Sequence, residues 1–287
     1  MINDFVSAGI QSDYYEENGK LPFGRLIFQH YLNAQPEDIV YIATGEFFSI
    51  FLNKSGKVFV RGSNHFGECD IPPIDIPIVK VVAGHSHVLV LGKNGDVVGW
   101  GFNSKYRLPF EPIKSIDIAC TNLCSVFLDV DRRVRVYGND QSISSLKVEN
   151  AIYINALGNS CLAILSDSTL LCWGKINFRR KIKGIVSAHF LNDKIVVLKD
   201  DGKVYLYPEG RRLKFNNIVY VSSSYNNFFA LNDIGKIFAY GYNFFGQMCP
   251  PDGENYSMVA AGPHHGIALK NGKVLSWGSN YYHSINF

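Results

Sequence analysis

The chain has 287 residues, 47% hydrophobic and 18% charged, with a net charge of +3. This composition supplies a core for one large all-β domain or two ordinary ones, and the charge is too weak to point to nucleic acid. Aromatics reach 14%, which favours strands over helices, and neither a secretory leader nor an apolar run long enough for a membrane helix stands out. The six cysteines (69, 120, 124, 161, 172 and 249) lack paired CxxC spacing. They read as free buried thiols of a reducing compartment, ahead of disulfides or zinc, and the expected location is cytoplasmic.

Residues 1–38 do not repeat cleanly. Gly9 and Gly19 are spaced like glycines of the later units, but SDYYEE (12–17) is too polar for a buried strand. Two readings stay open: a degenerate part-repeat, or a closing segment that adds a strand to the last unit, with Leu26, Ile27 and Phe28 its candidate strand.

From Ile39 to the end at 287 a period is plain. Seven turn positions, Gly56, Gly95, Arg132, Ser168, Gly202, Gly235 and Gly272, are each followed six residues later by a small or turn-forming residue. They recur at intervals of 33 to 39 residues, with a mean of 36, the sequence signature of a repeat architecture. Between the two positions of each pair lies an alternating strand, such as VVGWG (97–101) or VLSWG (274–278). A continuous apolar strand precedes each turn, and a third strand ending in a small residue precedes that one. Three short strands cannot bury their faces alone. Seven such units predict an all-β, seven-bladed β-propeller over 39–287, in which radial repetition protects the edges. A linear solenoid is the rival, but it needs polar caps and the last unit keeps the ordinary apolar pattern.

The frame VVAGHSHVLVLGKNGDVVGWGFN (81–103), with its copies at 221–247 and 259–280, resembles the repeat of the regulator of chromosome condensation family. NFFGQM (243–248) and NHFG (64–67) resemble that family's blade-ending sequence. The resemblance implies a seven-bladed propeller, here with shorter repeats than is usual. It also implies a platform for protein partners, since a propeller does not dictate its function. Some members are exchange factors for the nuclear-transport GTPase and carry a projecting β-wedge; no unit here has a spare insertion long enough to be an obvious wedge. A compact relative inhibits β-lactamase by binding alone.

In the exchange factors of the family, important side chains follow the Ala-Gly that ends the first strand. The matching loops converge on one face, and their variable residues here are Glu46, His85, Asn122, Asn159, Asn226 and His264; Asp193 stands in for the fifth unit, which breaks register. These seven are the candidate partner-binding residues. His87 and His265, immediately before the second strand, read as structural hydrogen-bonding histidines. No phosphate loop, GxSxG, HExxH or Rossmann fingerprint occurs, so no conventional active site, metal or cofactor is expected.

Two further features stand out. FRRKIK (178–183) and GRRLK (210–214) should be neighbours on the rim, where Arg179, Arg180, Lys181, Lys183, Arg211, Arg212 and Lys214 would form a basic patch. That patch reads either as a solvated rim or as a steering surface for an acidic partner, with weak membrane contact at most. Tyr242, Phe244, Phe245, Tyr281 and Tyr282 form an aromatic group that is either an interface anchor or filler between blades. The sequence reading is a monomeric, protein-binding propeller. Its first function is contact with a small GTPase, with guanine-nucleotide exchange as the activity; the alternative is a non-catalytic scaffold or inhibitor. The lack of tails also suits a microbial effector in a host cytosol.

Overall fold

Each unit folds as an antiparallel sheet because its first, second and third strands are joined by turns too short for any other pairing. The computed structural model describes residues 30–31, 38–102 and 113–279. Blade 1 pairs Ile39–Thr44, Phe48–Asn53 and Val58–Gly62; blade 2 pairs Ile78–Ala83, His87–Gly92 and Val97–Gly101. Blade 3 holds Ser115–Cys120, Cys124–Asp129 and Val134–Gly138. Blades 4 and 5 begin with Ala151–Leu157, Ser160–Leu165 and Thr169–Gly174, and with Ile185–Leu191, Lys194–Lys199 and Val204–Tyr207. Blade 6 holds Ile218–Ser223, Asn227–Asn232 and Ile237–Gly241; blade 7 holds Met258–Ala261, His265–Lys270 and Lys273–Gly278.

The unbroken apolar character of the second strands now has its cause. They lie mid-sheet between neighbouring blades and are buried on both faces, as in His87–Gly92 and Cys124–Asp129. A strand covered on both sides has no polar face to alternate with. The first strands line the axis. They touch one another in chain order, and the first strand of blade 7 returns to that of blade 1. The ring is closed: this is a seven-bladed β-propeller, and the solenoid is excluded. At the closing seam Ile39 donates its N–H to Gly272 O (3.2 Å) and Thr44 Oγ1 donates to Ala261 O (2.8 Å). Ile42, Phe51, Ile267 and Leu269 fill the space between the two blades.

The first strands of blades 1 to 6 each carry a one-residue slip in register. Such a bulge re-aims the side chains beside it. The skipped residue is an exposed aliphatic, Val40, Val79, Ile116, Ile152, Val186 or Val219. The next residue, large and polar in most blades, falls on the axial side.

Two elements depart from the sequence reading. The basic stretches are not loops: Phe178–Lys181 and Arg211–Arg212 are fourth, outermost strands of blades 4 and 5. Being exposed, they carry no apolar alternation, so periodicity could not reveal them. Gln141–Ser144 makes one helical turn, capped by Asp140, between blades 3 and 4. Blade 7 also has a fourth strand, His30–Tyr31, with His30 opposite Ser276 and Tyr31 opposite Leu275. The candidate strand at 26–28 lies outside the described residues.

Candidate functional site

The loops joining first to second strands all emerge on one face of the ring, the exit face. The repeat glycines shape them. A Cβ on Gly84 would lie 2.4 Å from the His87 ring, and one on Gly262 would lie 2.6 Å from that of His265. The Gly-x-x-His spacing therefore makes room for an imidazole that turns back under the loop. That imidazole is buried and reaches the neighbouring blade: His87 Nε2 is hydrogen-bonded to Ser125 Oγ (3.1 Å), and His265 Nε2 to Ser49 Oγ across the seam (3.2 Å). Burial, aided by the charge of His264, lowers the His265 pKa to about 4. These two histidines hold blades together.

The glycine ending the third strand tethers the same loop from below. Gly241 has φ +129 and its α-carbon presses on the loop, where a Cβ would meet Asn226 O at 2.2 Å. The next residue, Tyr242, donates its N–H to that carbonyl at 2.9 Å. Blades 1, 2, 4 and 7 repeat the tether, from Ser63 to Phe47, Phe102 to Ser86, Lys175 to Asn159 and Ser279 to His264.

On this scaffold the predicted residues divide. Glu46 and His85 come together, Oε2 to Nε2 at 3.3 Å, with His85 Nδ1 2.6 Å from Ser86 Oγ and the Phe47 ring edge-on to the imidazole. Asn122 accepts a hydrogen bond from the Tyr225 hydroxyl. Asn159, Asp193 and Asn226 are exposed on their loops and make no side-chain contact with that pair among the described residues. His264 is half-buried against Phe245, ring centroids 4.9 Å apart.

The aromatic group is exposed. Tyr242 stacks on Phe244 and Phe244 meets Phe245 edge-on, with exposures of 52%, 75% and 43%. The turn that displays them is built by its own polar side chains: Asn243 Oδ1 accepts from Met248 N, and Gln247 Oε1 from Phe245 N. Blade 1 repeats the turn with Asn64 and Glu68 and displays Phe66, which packs on Phe102. Exposed aromatics thus follow the third strands of blades 6 and 1, the first group against His264 of blade 7 and the second against Phe102 of blade 2. Tyr281 and Tyr282 lie outside the described residues.

The basic residues occupy the outer edges of adjacent blades. Arg179, Arg180 and Lys181 are exposed on one fourth strand, Arg211 and Arg212 on the other. Arg211 bonds the Tyr240 hydroxyl (2.5 Å), Arg212 bonds Asn216 Oδ1 (3.1 Å), and Arg180 lies over the Tyr207 ring. Cationic residues on open edges oppose pairing with other strands, so the placement has a structural reason of its own. Lys183 and Lys214 follow these strands and are exposed.

Sequence reasoning missed the channel. A cavity of about 420 Å³ runs along the axis, lined by first strands of all seven blades. Tyr41, Lys80, Tyr153, His189 and Tyr220 face it. Lys80 Nζ is 2.5 Å from Asp117 Oδ1, and burial lowers the His189 pKa to about 4 and raises that of Tyr220 to about 12. The available signal was a polar residue at the third position of otherwise apolar strands.

The family model of the regulator of chromosome condensation (RCC1) repeat matches residues 39–68 and 78–107, the first two blades. These two blades thus match the regulator of chromosome condensation repeat. Protein pim1 of Schizosaccharomyces pombe is 22% identical over 268 residues, covering 73% of this chain and 48% of the relative. The human RCC1-like G exchanging factor-like protein is 23% identical over 286 residues, covering 86% and 54%. The chain therefore spans about half the length of these curated relatives. Among solved structures, Prp20p of Saccharomyces cerevisiae, described with its binding to Gsp1p and histones, superposes with a TM-score of 0.61 at 15% identity, covering 84% of this chain and 82% of that one. That likeness concerns the fold.

Proposed function

We propose that the chain binds a protein partner through its exit face, that the partner is a small GTPase, with the nuclear-transport type the first candidate, and that binding promotes nucleotide exchange. The observation that carries this reading is the exit face itself, which presents both the exposed Tyr242–Phe244–Phe245 cluster and the half-buried Glu46–His85 pair on tethered loops. Exposed aromatics beside polar groups make anchors for a protein surface. Exchange needs no bond chemistry from the propeller: a face that holds the nucleotide-free GTPase more tightly than the loaded one releases the nucleotide by differential affinity. Support at family level comes from the human relative named for G exchange and from Prp20p, which binds Gsp1p.

The test is release of a fluorescent GDP analogue from a panel of small GTPases at micromolar propeller. Acceleration for at least one member is expected, and none for any member overturns exchange. His85→Ala combined with His264→Ala should weaken partner binding by roughly tenfold or more while the fold is retained. If binding survives that pair and is abolished by Arg179, Arg180, Arg211 and Arg212→Glu, the binding surface is the rim.

A second reading rests on the shortness of the exit-face loops, three residues between Thr44 and Phe48 and two between Leu157 and Ser160. Nothing on them projects as a wedge, which favours a scaffold or inhibitor without exchange activity. Capture from lysate separates the two readings. A GTPase retained only when nucleotide is stripped by chelation supports exchange, and a tight partner of another kind supports scaffolding.

A further inference from the structure

We propose that the axial channel is a binding site for a small oxyanion-bearing molecule, a carboxylate or a phosphate, with Tyr225 as the cover of its mouth. Its mouth opens on the exit face beside Glu46, His85 and Asn122, but the site does not rest on partner binding.

The argument starts from hydrogen-bonding capacity. Lys80 faces the cavity and gives one N–H to Asp117, which leaves two donors on the ammonium. Asp117 holds the same axial position in blade 3 and is paired with Lys80. Its oxygens are turned to Lys80 and to the backbone amides of Ile118 (2.9 Å) and Ile154 (3.5 Å). The Tyr41 and Tyr220 hydroxyls make no hydrogen bond among the described residues, although both side chains line the cavity and burial holds both phenols protonated. Asn155 Nδ2 and Ser187 Oγ are bonded to His189 (3.5 and 3.2 Å), and Asn155 is also bonded to Tyr153.

The unspent groups are thus donors: two N–H of a cation and two phenolic O–H. A buried donor without an acceptor carries a desolvation cost, and a ligand rich in acceptor oxygens removes it. The carboxylate at the rim, Glu46, is held 3.3 Å from His85. A cavity of about 420 Å³ is of the size that takes a small molecule rather than a polypeptide segment.

The mouth has a cover. Tyr225, on the first loop of blade 6, hydrogen-bonds Asn122, on the first loop of blade 3. In a ring of seven those blades face each other across the axis, so the side chain spans the opening. Asn192 of blade 5 donates its N–H to Tyr225 O at 2.6 Å, and Gly158 of blade 4 lies against the ring with no side chain to displace it. Breaking one side-chain hydrogen bond opens the path, whereas the strands below stay fixed.

The experiment is isothermal titration calorimetry of the full chain with two probes, malonate and inorganic phosphate. Each is titrated to about 10 mM, where a millimolar site is still visible. One-to-one binding of at least one probe is expected, and which one binds tells carboxylate from phosphate. Tyr41→Phe with Tyr220→Phe keeps the channel's shape and should weaken binding about tenfold, in line with two lost hydrogen bonds, with an unchanged circular-dichroism melt. Lys80→Met should abolish binding, and Tyr225→Ala should speed probe entry in stopped-flow. Arg179→Ser with Arg211→Ser, on the rim, should leave binding unchanged. No heat with either probe overturns the site. So does affinity that survives the double phenylalanine variant, or affinity lost in the rim variant, because each places the anion outside the channel.

Discussion

Arg132 and Ser168 occupy the turn seats that are glycine in the other five blades, and both have positive φ, 61° and 68°. A side chain in that region costs about 1 kcal/mol or more. Arg132→Gly and Ser168→Gly should each raise stability, by roughly 0.5–1 kcal/mol once the extra freedom of the unfolded glycine is subtracted. Urea unfolding of the two variants checks this. The seats were legible in the sequence because the units align there whatever residue fills them. The same scale yields a pH prediction. His265 and His189 are both held near pKa 4 by burial, below the 6.5 of an exposed imidazole. A depressed folded-state pKa means the unfolded chain binds the proton first. The contribution is therefore complete above pH 6.5 and is lost as pH falls towards 4, by about 3 kcal/mol per histidine. His265→Gln should flatten the fall of urea-unfolding free energy between pH 6.5 and 4.5 relative to the parent. An equal slope in both proteins contradicts the assignment.

Within a blade, the third-strand glycine joins edge to loop. Gly241→Ala would set a Cβ 2.2 Å from Asn226 O at φ +129. The expected loss is about 2–3 kcal/mol, since neither the strained backbone nor the carbonyl can be relieved cheaply; a thermal melt reads it. Gly56→Ala is the control for conformation alone, as nothing lies within 4 Å of its Cβ position. Strand identity was legible for the first three strands of every blade because burial imposes alternation or a continuous apolar run. The fourth strands, FRRK at 178–181 and the pair at 211–212, were not. At an open edge the backbone hydrogen bonds decide, and the side chains, facing water, leave no pattern. The channel escaped notice for a related reason: Tyr41, Lys80 and Tyr220 each look like one polar interruption, and only the superposition of blades around an axis gathers them.

At the scale of the whole molecule, blade 7 is the sheet assembled from two distant parts of the chain, through the pairing of His30–Tyr31 with Lys273–Gly278. We expect this pairing to clasp the ring. Removal of residues 1–31 should lower the unfolding midpoint and raise amide exchange first in Lys273–Gly278, leaving blades 3 and 4 protected. Unchanged protection would assign closure to the seam packing of Ile42, Phe51 and Ile267 alone. Closure was legible as seven units, but the choice of partner for the last edge was not, since two residue pairs leave too faint a trace. The loop tethers carry a consequence for recognition. In five blades an amide beyond the third strand fixes the carbonyl of the exit-face loop, so those loops have no hinge apart from their blade. A partner would meet a preorganised surface and forfeit little entropy in ordering it. Association should then proceed in a single kinetic phase, as rigid-body docking, with any rearrangement confined to the other molecule.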